Sequence, residues 1–277
     1  MAEIGIVTDN TAQFTRPNFV GRERVHVIPF RLAASGGRNS LIPPQEADFA
    51  SLYARLGERY DAVLVITLTS FFYPLASIAR RAMRQAGHNH LMIQVIDSQN
   101  ISLGLGMLVQ LAAAAASAGE SLAAMERLIR HALSNVYMLF CVPALEHLVA
   151  YGCLSRAQAI VGEMLSWLPL FVLEEGRLLP LQKVRASRYL GEAFQEYLSE
   201  FADPERIGFL YGQRHQACYT RTLGEFARLT FPRASFEEYL LESPVRAMLG
   251  EETLALAVME RDRHDAWRRE ADAGQAG

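Results

Sequence analysis

The stretch that decides the fold is Leu91–Gly119, LMIQVIDSQNISLGLGMLVQLAAAAASAG. It opens on an apolar run, Leu91 to Ile96, with the length and composition of a buried strand. Asp97-Ser98 follows where that strand hands over to a loop. Ser102, Gly104 and Gly106 then lead into a helix with alanine at every position from 112 to 116, too smooth for a solvated face. A strand, a polar corner and a small-residue helix make half of a βαβ unit. Ligands of open α/β sheets bind in the crevice outside the strand C-termini. Asp97 and Ser98 therefore have two readings, as ligand contacts or as caps of the turn that follows.

Upstream, the same pattern occurs twice more. Ile4–Val7 is a short strand that ends in Thr8-Asp9-Asn10-Thr11. DAVLVITL, Asp61–Leu68, is a continuous apolar strand of the kind covered on both faces, and it runs into Thr69-Ser70. A helix over 76–86 separates it from Leu91. Three strand–corner–helix repeats predict a parallel sheet with helices on both sides. Val25–Phe30 adds a strand, and Phe49, Leu52, Tyr53 and Leu56 mark one face of a helix. Ala33–Pro44, rich in Gly, Ser, Asn and Pro, is predicted to be a loop.

Downstream the texture changes. Ser121 caps a helix, Val136–Val142 is a strand closed by Pro143, and short helices follow over 145–151 and 156–167. Glu174-Glu175-Gly176 supplies the turn of a hairpin between Leu168–Leu173 and Arg177–Pro180. Helices over 188–201 and 217–231 alternate with strands over 207–212, 236–241 and 253–259. The expected architecture is α/β. A parallel sheet covered by helices fills an N-terminal domain over 1–150. An α+β domain with a mainly antiparallel sheet spans 151–265, and 266–277 form a flexible tail.

Composition narrows the function. A chain of 277 residues that is 51% hydrophobic can bury two cores, and a net charge of −3 argues against nucleic acid. The longest apolar stretch, 101–118, carries Ser, Gln and two Gly, so no integral membrane segment is expected. With a strand starting almost at Met1, and with Cys141, Cys153 and Cys218 unclustered, the expected location is cytoplasmic. Neither a dinucleotide fingerprint nor a P-loop is present. His88 and His90 alternate around Asn89 as metal ligands can, yet a solvated loop is the better account of them, since no carboxylate or Cys lies nearby in sequence. His215 and Cys218 form a single HxxC pair, weak support for a thiol nucleophile. The expectation is a protein that is not an enzyme, with no catalytic residues, no metal and no cofactor. What remains is polar groups at strand ends, Thr8, Asp9, Thr11, Thr69, Ser70, Asp97 and Ser98, placed to receive a carboxylate or phosphate head group.

At this point the sequence resembles a family. IGIVTDNTAQF is similar to the opening IVTDSTADL of the DegV proteins. PPQEADFASLYARL resembles their PSPxDFxxxYxxL, and VIDSQNISLGLGMLVQLAAAAASAG resembles VxDSxxxSxGxGxxVxxAAxLAxxG. LEHLVAYGCLSRAQAIVGEMLSWLPLFVLEEGRLLPLQKVRASR is similar to LExLxxGGRISxxxAxxGxLLxIKPxLxxxxGxIxxxxKxRxxK. These blocks are collinear from Ile4 to about Arg188. The resemblance implies two α/β domains that bury a long-chain fatty acid as ligand, and possible partnership with a fatty-acid kinase that phosphorylates the bound carboxylate.

The departures cluster at the head-group end. The family's SGTY is here Tyr73-Pro74-Leu75-Ala76, the threonine of its TSQP falls near Leu41, Cys153 stands at the arginine of GGRIS, and GTHxGPG is here RAMLGEE, with Leu249 or a neighbour at the histidine. Thr8, Asp9, Ser70, Asp97 and Ser98 survive, with Lys183 and Arg185 of the KxR element. Tyr73 and Arg156 are candidate replacements. The resemblance implies a head-group site drawn from Thr8, Asp9, Thr69, Ser70, Tyr73, Asp97, Ser98, Arg156 and Arg185. A non-catalytic carrier of a fatty acid or related amphiphile is the leading expectation. A paralogue that has lost its ligand and serves as an interaction or regulatory module is the alternative.

Overall fold

The computed structural model describes residues 2–35, 38–85, 91–213 and 218–261. Three parallel strands, β1 (Ile4–Asp9), β5 (Ala62–Thr67) and β6 (Met92–Asp97), form one sheet, as expected. β2 (Val25–Ile28) completes it in the order β2-β1-β5-β6. β1 and β5 are buried at every position, which explains their unbroken apolar spelling.

Ala33–Pro44 departs from the expected loop. β3 (Arg31–Ser35) and β4 (Arg38–Ile42) pair antiparallel with Ser35 opposite Arg38. Gly36-Gly37, outside the described residues, stand between the two strands in sequence, and Gly-Gly at such a point is a hairpin signal that the surrounding Ser and Asn concealed.

Helices α1 (Glu46–Gly57) and α2 (Leu75–Gln85) pack together on one face of the parallel sheet. The other face is covered by α3 (Ser102–Ser117) and α4 (Leu122–Ala132), the latter capped by Ser121, which accepts from the Ala124 N–H. α3 is buried almost all round, because it lies between two sheets. Leu105, Val109, Ala112, Ala113 and Ala116 face the parallel sheet. Leu103 and Met107 face the second sheet instead, where a Cβ on Gly208 would stand 2.0 Å from Leu103. Gly106 is required by a crossing chain, since its Cβ would lie 1.8 Å from the Gln13 carbonyl oxygen.

β7 (Val136–Cys141) leads to α5 (Glu146–Ala150), α6 (Arg156–Met164) and the hairpin β8 (Leu168–Glu174)–β9 (Arg177–Val184). α7 (Leu190–Ser199), β10 (Pro204–Tyr211), α8 (Cys218–Thr230), β11 (Ser235–Leu240), α9 (Ser243–Leu249) and β12 (Leu254–Glu260) follow. The second sheet runs β11-β10-β12-β7-β8-β9 and is antiparallel except for β10 and β11. β7 sits inside it, between β12 and β8, so a boundary drawn by sheet membership falls before Val136 and not at 150. α9 had no place in the sequence reading, which ran from the strand at 236–241 directly to the one at 253–259.

One apolar cluster joins the two sheets. It starts under α1 and α2 at Phe49, Tyr53 and Leu75, and passes the strand ends at Phe30, Leu68 and Phe72. It then reaches Phe140, Phe171 and Ala255 on the second sheet and Val245 and Leu249 on α9. Each fully buried large side chain of this kind contributes about 1.5–3 kcal/mol.

Candidate functional site

The crevice at the C-terminal ends of β1, β5 and β6 is built by its own polar corners. Asp9 is fully buried. Its Oδ2 accepts the Leu68 N–H at 2.7 Å, and its Oδ1 accepts the Thr11 N–H at 3.0 Å and the Thr11 hydroxyl at 2.5 Å. Burial pushes this carboxyl above its ordinary value, against the pull of those donors. Asp97 Oδ2 accepts the Ser70 N–H at 3.0 Å and its Oδ1 the Gln99 N–H at 2.9 Å. Ser98 is buried, donating to the Asn100 carbonyl and accepting from the Asn100 N–H, both at 3.0 Å. Of the two readings for Asp97-Ser98, turn capping describes Ser98 fully. Asp97 both caps its own turn and ties it to the turn after β5.

Thr69 joins the halves of the molecule. Its hydroxyl donates to the Gly176 carbonyl at 2.7 Å, in the turn of the β8–β9 hairpin, and accepts the Phe71 N–H. Gln13 is a second bridge, donating to the Leu240 carbonyl at 2.8 Å and accepting the Glu242 N–H at 3.3 Å. Nothing in the local sequence marks Gln13 as a bridge, because these two partners lie more than two hundred residues away. The crevice also holds unspent groups. The Thr8 and Thr67 hydroxyls and Asn100 Oδ1 are buried without a partner among the described residues, and Thr67 shares a strand face with Val63 and Val65 of the joining cluster.

The positions that matched the family's polar clamp are packed together as an apolar and aromatic group. Tyr73 stands edge-on to Phe30 at 5.1 Å and to Tyr151 at 5.9 Å, and Tyr151 stands edge-on to Phe72 at 5.0 Å. Leu41, Tyr151 and Cys153 pack on the cluster that contains Leu249. Burial, then the neighbouring Tyr73 hydroxyl, raise the Tyr151 phenol far above its ordinary value. Burial also pushes the Cys153 thiol up to about 11 and the Cys141 thiol up to about 12, so neither is a ready thiolate.

The remaining candidates are exposed: Ser70, Arg156 at the start of α6, and Arg185 just past β9. Neither guanidinium makes an ion pair or hydrogen bond among the described residues. Lys183 spends its ammonium on the Trp167 ring, 3.6 Å from the centroid. His88, His90 and His215 lie outside the described residues, as does the side chain of Cys218. Among the described residues no three His, Cys, Asp or Glu side chains gather as a metal site, and no helix is long and apolar enough to cross a membrane.

The sequence profile of the DegV family, described as a family of uncharacterised proteins, matches residues 39–261. The chain belongs to the DegV family. A DegV domain-containing protein of Staphylococcus aureus is 23% identical over 223 residues, 73% of this chain and 78% of that protein. The fatty acid binding DegV family protein of Streptococcus agalactiae superposes with a TM-score of 0.81 at 20% identity, over 95% of this chain and 100% of that one. The fatty acid kinase (Fak) B3 protein of Streptococcus pneumoniae, crystallised loaded with linoleic acid, gives 0.78 at 20% identity, over 94% of this chain and 100% of that one. At these identities the superpositions establish a shared DegV fold.

Proposed function

We propose that this DegV protein is a non-catalytic, cytoplasmic carrier that holds a long-chain fatty acid or a related amphiphile between its two sheets. The observation that carries the reading is the apolar cluster running from α1 and α2, past the strand ends, to β7, β8 and α9. Acyl chains gain about 0.8 kcal/mol for each CH₂ they bury, so such a ligand requires a long dry compartment more than it requires charge. The Thr67 hydroxyl, on the strand face of Val63 and Val65, would supply a polar contact at one end of that cluster. The relatives crystallised as fatty acid binding proteins support the reading by their shared fold. Thr8, Asp9, Thr69, Asp97 and Ser98 then serve chiefly to hold the crevice in shape, whereas Ser70, Tyr73, Arg156 and Arg185 are the candidates for direct head-group contact.

A second reading, an interaction module without a lipid ligand, is favoured by one observation. Leu41, Tyr73, Cys153 and Leu249 occupy the clamp positions as packed side chains. Organic extraction of the purified, monodisperse protein followed by mass spectrometry separates the two. Recovery of near-stoichiometric acyl species supports the carrier. Folded protein that yields none, and takes up none from oleate, refutes it in favour of the module.

A further inference from the structure

Between α5 and α9 lies a cleft of about 510 Å³, whose walls include Glu146, His147, Ser243, Arg246, Gly250 and Glu251. Four of these residues carry ionisable side chains. None of these four side chains makes an ion pair or a hydrogen bond with any other described residue. Other surface arginines do find acids, as Arg130 does with Glu126 at 2.8 Å and Arg221 with Glu225 at 3.2 Å.

The separation here is imposed by the core. α5 is anchored by the fully buried Leu148, and α9 by Val245, Met248 and Leu249, all at 0% exposure. The two helices therefore cannot slide together to close their charges. Gly250 adds a fixed wall. Its φ is +93°, and a Cβ there would stand 3.2–3.3 Å from Cδ2 and Nε2 of His147, so the imidazole edge lies against bare backbone.

The charges are also layered. Arg246 and His147 are half-buried, whereas Glu146 and Glu251 are exposed at the rim. A simple anion moving toward Arg246 would pass two carboxylates, and a simple cation would be drawn to the rim but meet a guanidinium beneath it. A molecule with an anionic end inward and an ammonium end outward satisfies every group. We propose that this cleft binds a zwitterion, its phosphate or carboxylate on Arg246 and His147 and its ammonium on Glu146 and Glu251. The proposal goes beyond the carrier reading and stands whether or not the chain holds a fatty acid.

Titration calorimetry with phosphoethanolamine, inorganic phosphate, ethanolamine and lysophosphatidylethanolamine tests it. Phosphoethanolamine should bind at least about tenfold more tightly than phosphate or ethanolamine alone, the gain from one further charge-assisted contact. Arg246→Gln should weaken it by about tenfold or more. Glu251→Gln should weaken phosphoethanolamine yet strengthen inorganic phosphate, an opposite response that a merely structural role would not produce. Neither side chain has a partner among the described residues, so both variants should keep the thermal midpoint. If the free head group and the lysolipid both bind, a soluble zwitterion suffices. If only the lysolipid binds, and Arg246→Gln abolishes it, the zwitterion is a lipid head group. The proposal is overturned if neither the free head group nor the lysolipid binds, if phosphoethanolamine binds but no more tightly than phosphate, or if Arg246→Gln changes nothing.

Discussion

Asp9→Asn is the substitution that most directly tests how the crevice is held. The carboxylate receives three donors, the Leu68 N–H on one oxygen and the Thr11 N–H and hydroxyl on the other, in a site with no solvent access. Asparagine has the same shape but only one acceptor end. Turned to keep the two Thr11 donors, it presents its NH₂ to the Leu68 N–H, leaving two buried donors face to face. Each orphaned donor costs about 1–3 kcal/mol, and removal of a buried charge offsets part of the sum. The net expectation is a loss of about 3 kcal/mol. At about 2–4 °C per kcal/mol for chains of this size, the melting midpoint should fall by roughly 6–12 °C. Urea unfolding at neutral pH reads the free energy, and amide hydrogen exchange at Leu68 reads the local cause. A variant as stable as the parent, with Leu68 exchange unchanged, would refute the account of Asp9 as the tie between β1 and β5.

Three further outcomes are expected. Gly106→Ala should destabilise by about 1–3 kcal/mol in denaturant unfolding, because its Cβ would stand 1.8 Å from the Gln13 carbonyl and force the crossing chain away from α3. His26, 3.1 Å from the Tyr60 hydroxyl, has its pKa lowered below 6.5 by burial and then by Arg59, Arg55 and Arg22. Its contribution to stability is therefore present above pH 6.5 and is lost as pH falls from there through the lowered folded-state value, so His26→Gln should flatten that part of the stability–pH curve. With a fatty-acid kinase, ATP and oleate, acyl-phosphate formation should stay near background. Each missing donor costs about two to three powers of ten, although such losses do not add. Robust turnover would instead show that Ser70, Tyr73, Arg156 or Arg185 rebuild a donor set.

The parallel sheet was legible because DAVLVITL and LMIQVID are apolar runs of strand length that end in polar corners, a pattern that depends only on neighbours in sequence. The β8–β9 hairpin was legible from Glu174-Glu175-Gly176, where the turn is local. The place of β7 was not. YMLFC carries no mark of which sheet it joins, and its partner Leu254 lies far along the chain. At the candidate site the same division holds. Asp9 and Asp97 could be found as strand-end polar residues. Gln13 and the Tyr73–Tyr151 ring contact depend on how the second unit docks, which no local pattern encodes. The polar cleft beside α9 was out of reach for the same reason, its two walls being about a hundred residues apart.

β12, the last described strand, occupies the middle of the six-stranded sheet. The parallel sheet, by contrast, has all its strands by Asp97. On the ribosome, at roughly 5–20 residues per second, the first sheet has many seconds to close while the second waits for its centre. During that interval β7 and β10 present their apolar faces to the cell with an empty lane between them. Synthesis order thus exposes a sticky half-sheet in every nascent copy, and the arrival of Leu254–Glu260 ends its exposure to chaperones and to other nascent chains.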